Sequence, residues 1–171
     1  MSALPKGLIQ LEIGIQTLNP AALEAVNRKT DIERVFSNIK KIMDGENIHL
    51  HLDLIAGLPY ESLESFKESF DRVYGLKPHV LQLGFLKLLK GSVIRKDFEI
   101  FRYIFREYAP YEVLSNAFIS YQELTLLKGV EELLDRYKNS GRFESTLDYI
   151  IKSCFTSAFG FYSGLDRKSV V

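Results

Sequence analysis

Gln16, Arg28 and Asp53 are the side chains of this sequence whose types together would suit a nucleoside. A carboxylate can accept from both hydroxyls of a ribose, a guanidinium offers a planar fork of donors, and a carboxamide both donates and accepts. Their spacing supports a shared site. Gln16 closes one expected strand, Asp53 lies late in the next, Gly57-Leu58-Pro59 turns the chain beyond it, and Arg28 stands in the intervening loop. In a βα barrel these positions fall on the rim where catalysis occurs, at the C-terminal strand ends and the loops after them. Structural alternatives stay open for each residue. Asp53 could pair with Arg28 or His51 as a buried ion pair, and Gln16 could cap strand ends without touching a ligand. His49 and His51 share a face like a metal pair but lack a nearby third ligand. Glu12, deeper on the same face, reads as a hydrogen-bonding group within the sheet rather than a base.

Three alternating segments must position these groups. LIQLEIGIQT (8–17) sets Ile9, Leu11, Ile13 and Ile15 against Gln10, Glu12, Gly14 and Gln16. IHLHLDLIAGLP (48–59) sets Leu50, Leu52 and Leu54 against His49, His51 and Asp53, and HVLQLGFLKLLKG (79–91) supplies the third strand. Helical periods separate them: a short helix from Pro20 to Val26, one opened by a Thr30/Glu33 capping box, and one opened by Ser62 and stopped by Gly75. The strand-helix-strand order predicts parallel pairing, and a parallel sheet is normally covered on both faces. The polar second face therefore predicts a ligand-lined lumen.

After Gly91 the alternation gives way to helical periods. The spacing predicts helices over 98–108, 121–139 and 143–159, hence an all-helical region over 92–171 following an α/β part over 1–91. Two and a half βα units do not close a barrel, and their outer strand edges would be unpaired. The chain reads as the second half of a larger fold.

Composition is that of an ordinary soluble globular chain: 171 residues, 46% hydrophobic, with 22 basic and 22 acidic side chains. The zero net charge gives no argument for nucleic acid, no apolar run reaches the roughly 20 residues a membrane helix takes, and the first residues lack a signal-peptide pattern. A cytoplasmic location is expected. The single cysteine, Cys154, can form no internal disulfide and reads as a small hydrophobe within a helix.

EIGIQTLNPAALEAVNRKT (12–30), followed by HLDLIAGLPYESLESFKESFDRVYGLKPHVLQLGFLKLLKGS (51–92), closely resembles the second half of the radical S-adenosylmethionine (SAM) barrel. PYEVLSNAFISYQEL and YKNSGRF, between Pro110 and Phe143, resemble the helical region that follows the barrel in cobalamin-binding radical SAM proteins of the anaerobic magnesium-protoporphyrin monomethyl ester cyclase-like group. The core is also similar to oxygen-independent coproporphyrinogen oxidase. The resemblance implies a partial (β/α) barrel in which Gln16, Arg28 and Asp53 contact SAM, with the backbone at Leu86 near its adenine.

The same resemblance implies a [4Fe–4S] cluster held by a CxxxCxxC loop, and a cobalamin domain, both expected upstream. This sequence contains neither motif, so the chain alone is expected to hold no cluster and to be inactive. Three readings follow: a C-terminal piece of a B12-dependent radical SAM enzyme acting on a small molecule, a non-catalytic half barrel docking onto a separately made N-terminal half, or an unrelated βα-barrel enzyme using Glu12, His51 and Asp53 for acid–base work. A missing half, self-association or partial cover by the chain's own helical region is expected to close the open edges.

Overall fold

The computed structural model describes residues 5–168. Strand β1 (Ile9–Gln16) leads through α1 (Pro20–Ala25) and α2 (Ile32–Asp44) to β2 (Ile48–Ala56), then α3 (Leu63–Tyr74) and β3 (Val80–Phe85). The three strands pair in parallel in the order β1-β2-β3, as the strand-helix-strand order predicts. Leu50, Leu52, Leu54, Leu81 and Leu83 are buried, while Gln10, Glu12, His49 and Gln82 on the opposite face are exposed. The apolar half of each strand thus makes the core and the polar half faces outward.

Helix starts follow side-chain capping. Asn19 caps α1 through Ala21 and Ala22, and Ser62 caps α3 through Ser65. Helix α2 is capped by Asp31, whose carboxylate accepts from Arg34 N, instead of by Thr30 as expected. Either residue type can cap, and here the charged acceptor one place further on takes the position.

The region after Gly91 is not all-helical. A short α4 (Val93–Lys96) is followed by β4 (Ile104–Phe105), which pairs antiparallel with β5 (Val113–Ser115), so the helix expected over 98–108 does not form. Bonds to residues beyond the segment take the place of a continuous helical ladder: Ala117 N donates to Phe101 O, and Arg106 N to Glu112 O. Then come α5 (Tyr121–Leu134), opened by a Ser120/Glu123 capping box, a π-helical turn (Asp135–Asn139), α6 (Glu144–Cys154) and α7 (Ala158–Lys168). The single helix expected over 143–159 is therefore two. Cys154 ends α6 exposed to solvent, so it does not act as a packed hydrophobe.

One apolar core runs from the sheet into the C-terminal helices, joining Phe66, Phe70 and Val73 of α3 to Leu127 and Val130 of α5 and to Phe159 and Tyr162 of α7. The outer edge of β3 is partly covered by the chain's own C-terminal region, from the π-helical turn, which is one of the expected ways to close it. The Asn139 carboxamide accepts from Leu81 N at 3.0 Å and donates to Leu81 O at 2.9 Å, as a neighbouring strand would. Asn139→Ala removes both bonds and is expected to cost about 1 kcal/mol, read as an earlier urea midpoint with an unchanged slope. An unchanged midpoint would mean that water replaces the carboxamide at no cost.

Candidate functional site

Each candidate residue is placed by a local backbone feature. The pairing of β1 with β2 runs in register from Ile9↔Ile48 to Gly14↔Asp53 and then slips, so that Gln16 pairs with Leu54. Gln16 closes the strand with φ +71°, a left-handed conformation uncommon for a side chain other than glycine. Its carboxamide folds back over Gly14. Asn27, at φ +56°, reverses the chain after α1, with Arg28 N donating to Leu23 O at 2.8 Å. Asparagine tolerates this conformation, and the reversal returns Arg28 towards the end of β1.

Gly14 is where the pieces meet. A Cβ built there would stand 3.0 Å from Gln16 Nε2 and 3.7 Å from an Arg28 terminal nitrogen, and Gly14 itself pairs with Asp53. Gln16, Arg28 and Asp53 are thus brought to one place at the C-terminal end of the sheet. Asp53 takes part in no ion pair with Arg28 or His51 among the described residues, and its Oδ1 is buried without a hydrogen-bond partner. Burial, and then the neighbouring Glu12 carboxylate, push Asp53 up to about 6. Below that pH it shares a hydrogen bond with Glu12, and above it the carboxyl is ionised with Oδ1 still without a partner.

Leu86 stands at the same end of the sheet, where its Cβ would lie 3.6 Å from a Cβ at Gly57. Its main chain is already engaged: its N–H donates to Ala56 O and its carbonyl accepts from Val113 N, both at 2.9 Å. Gly57 O accepts from Tyr103 Oη and from Asn116 Nδ2, each at 3.0 Å, so the segment after β3 holds the loop after β2. Tyr60, also at positive φ, carries a half-exposed ring against Phe101 and Phe118. These contacts join residues far apart in sequence and had no local signal.

Two cavities border Arg28. One of about 440 Å³, lined by Ile13, Ile15, Val35 and Phe36, runs beside β1, and one of about 930 Å³ lies between α1 and the start of α2. Neither is lined by Gln16 or Asp53. Gly14 also lines the first cavity, which therefore meets the polar sheet face carrying the orphaned Asp53 oxygen at that glycine.

His49, His51 and His79 cluster near the N-terminal ends of β2 and β3, with ring centroids 5.0 and 4.5 Å apart. Burial lowers the pKa of both His49 and His79, and His79 Nδ1 accepts from Leu50 N. Among the described residues no group of three or more His, Cys, Asp or Glu side chains could hold a metal ion, and no helix is long and apolar enough to cross a membrane.

Glu61 was not singled out in the sequence. It is fully buried in the loop before α3, accepts from Thr17 Oγ1, and has no partner for Oε2 among the described residues. Burial pushes it up to about 7 against the lowering effect of the Thr17 bond.

Residues 99–167 match the family described as "Protein of unknown function (DUF4080)". The chain is 33% identical over 78 residues to the oxygen-independent coproporphyrinogen III oxidase of Salmonella typhimurium, a match covering 46% of this chain and 17% of the relative. It is 30% identical over 94 residues to the enzyme of the same name from Thermostichus vulcanus, covering 53% of this chain and 29% of that one. The chain thus spans less than a third of the length of these curated relatives. Among solved structures, coproporphyrinogen III oxidase from Escherichia coli, described as a radical SAM enzyme, matches 46% of this chain and 18% of its own at 32% identity and TM-score 0.43. The archaeal Methanocaldococcus infernus Elp3 matches 54% of this chain and 22% of its own at 17% identity and TM-score 0.48. Over part of its length, this α/β chain is similar in sequence to radical SAM enzymes.

Proposed function

We propose that this chain supplies one wall of the S-adenosylmethionine pocket of a radical SAM enzyme, completed by an upstream half barrel that borders β1. The observation that carries this reading is the convergence of Gln16 and Arg28 over Gly14, opposite an Asp53 whose buried oxygen has no partner. The ionised Asp53 would accept from the ribose hydroxyls, and Arg28 and Gln16 would hold the carboxylate and polar atoms of the methionine end. Gly14 leaves room for that approach, since a side chain there would meet Gln16. Leu86 would border the adenine through its side chain.

The residues present do not fit a [4Fe–4S] cluster. Such a cluster takes several thiolates, and this chain has one cysteine, exposed at the end of α6. Reductive cleavage of SAM is therefore assigned to the upstream half. The finer reading, cobalamin dependence, rests on the resemblance of the 110–143 segment alone, and the substrate is proposed only as a small molecule. The groove beside β1, with apolar Ile13, Ile15, Val35 and Phe36 and polar Arg34 and Asn38 at its border, suits a further strand and helix of that half.

The test is titration of the isotope-labelled 171-residue chain with SAM, followed by amide NMR. Shifts confined to Gln16, Arg28, Asp53 and the Gly57 loop, saturating at millimolar or tighter concentration, are expected. Shifts only in the histidine cluster, or none at 10 mM SAM, about 2.7 kcal/mol of binding free energy, would overturn the assignment.

A further inference from the structure

Glu61 is the one buried acidic side chain among the described residues, and the proposed ligand contacts leave it unused. It lies after the Gly57–Tyr60 turn and is tied to the loop that follows β1. Asn19 N donates to Thr17 Oγ1 at 2.9 Å, and Thr17 Oγ1 in turn donates to Glu61 Oε1. The same two loops are joined by Asn19 Nδ2, which donates to Tyr60 O at 2.8 Å and to Ser65 Oγ at 3.1 Å, while Leu18 N donates to Ser69 Oγ at 3.0 Å. Thr17 is 1% exposed and directly follows Gln16, which its backbone holds at positive φ.

A buried side chain that ends two residues' freedom at once can set the geometry of its neighbours. We propose that Glu61 is a positioning residue which, through Thr17, fixes the strand-end conformation that folds the Gln16 carboxamide over Gly14. This role rests on the nucleoside reading of the site. It acts through Thr17 and does not require Glu61 to touch the ligand.

The proton balance makes the latch conditional. Burial, which leaves Oε2 without a partner, favours the neutral carboxyl and outweighs the Thr17 bond, which favours the ionised form. The folded protein therefore holds this proton more tightly than the unfolded one. The associated stability is present at low pH and is lost as pH rises from the ordinary glutamate range through about 7. Its hydrogen-bond partner, Thr17 from the loop after β1, is uncharged, no charged neighbour shifts it, and Ser65 and Ser69 of α3 are engaged by Asn19 and Leu18. The charged side chains of the first turns of α3 lie outside, where Lys67 pairs with Glu64 at 2.5 Å, and Glu68 is exposed. Gln16 is faced by Arg28 across Gly14, and Asp53 and Glu12 share its sheet face.

The experiment follows the backbone and side-chain amide resonances of Gln16 in the ligand-free 171-residue chain between pH 5 and 9. In the wild type these resonances are expected to show two steps, near 6 from Asp53 and near 7 from Glu61. Glu61→Gln, which keeps a neutral acceptor for Thr17, abolishes the upper step, retains the lower one, and leaves Gln16 at its low-pH position. Thr17→Val leaves Glu61 in place but breaks the link, so Gln16 no longer follows the upper step. An upper step that persists in Glu61→Gln, or a Gln16 that is indifferent to pH above 6.5 in the wild type, would overturn the proposal. No ligand enters this measurement, so its failure is separable from a failure of the SAM titration. Coupling without SAM binding leaves the latch and removes the nucleoside reading, whereas binding without coupling does the reverse.

Discussion

Phe70→Ala is expected to lower the stability of the whole chain by about 3–5 kcal/mol, the range for emptying a buried aromatic site. Phe70 is fully buried and meets three other rings: Tyr74 stacked at 5.8 Å, and Phe159 and Tyr162 edge-on at 5.6 and 6.2 Å. Two of those rings belong to α7, so the side chain joins the helix covering the sheet to the helix that closes the C-terminal region. For a chain of this size each kcal/mol shifts the melting temperature by roughly 2–4 °C, so a drop of about 6–20 °C is expected. Because the core is continuous, calorimetry should show one transition that moves as a unit. Tyr149→Ala, at a side chain 71% exposed, serves as the control and should stay within about 0.5 kcal/mol. Two separate transitions, with only the later-melting or earlier-melting one displaced, would show that residues beyond Gly91 fold independently.

The legible parts of this fold were those in which local pattern and tertiary demand agree. Alternation over Ile9–Gln16 and Ile48–Ala56 gave both the strand type and the buried face of β2, with Gln10, Glu12 and His49 on the other face exposed and Gln16, His51 and Asp53 half-buried. Ser62 and Gly75 bounded α3 because capping chemistry is local. The expected helix over 98–108 failed for the opposite reason. Its aromatic residues satisfy helical spacing, but Tyr103 Oη is drawn to Gly57 O, 46 positions away, and Phe101 O is taken by Ala117 N. Tertiary bonds of that kind override propensity and leave no periodic trace. Glu61 was illegible on the same ground. A glutamate in a polar loop looks solvated until Thr17, 44 positions earlier, is seen to donate to it in the core. Gln16, Arg28 and Asp53 could be placed at one end of the sheet from strand order alone, but their convergence on Gly14 depends on a register slip and on the reversal at Asn27, which spacing does not reveal.

Asp53→Asn should separate stability from binding. In the folded chain the Asp53 carboxyl is pushed up to about 6 by burial and by Glu12, so the native state holds the proton more tightly than the unfolded state does. The sign follows: as pH rises from about 4 through 6, ionisation of Asp53 destabilises the fold, and at pH 8 the chain carries a buried carboxylate oxygen with no partner. The carboxamide removes that charge and its repulsion from Glu12. At pH 8 the variant is therefore expected to be more stable than wild type, with the difference vanishing below about pH 4. Binding moves the other way. A charged acceptor is worth about 1.5–3 kcal/mol to a hydrogen-bonded partner, so SAM affinity at pH 8 should fall roughly ten- to hundredfold. Wild-type affinity should itself rise with pH through about 6, and the variant should show no such step. Denaturation midpoints at pH 4 and 8 give the first half of the test, and SAM titrations followed by NMR at pH 5 and 8 give the second. A variant that is stabilised but binds SAM as wild type would mean that the orphaned oxygen is only a burial cost, and Asp53 would leave the site. A variant that loses both stability and binding at pH 8 would mean that the carboxylate is held by a partner within the fold.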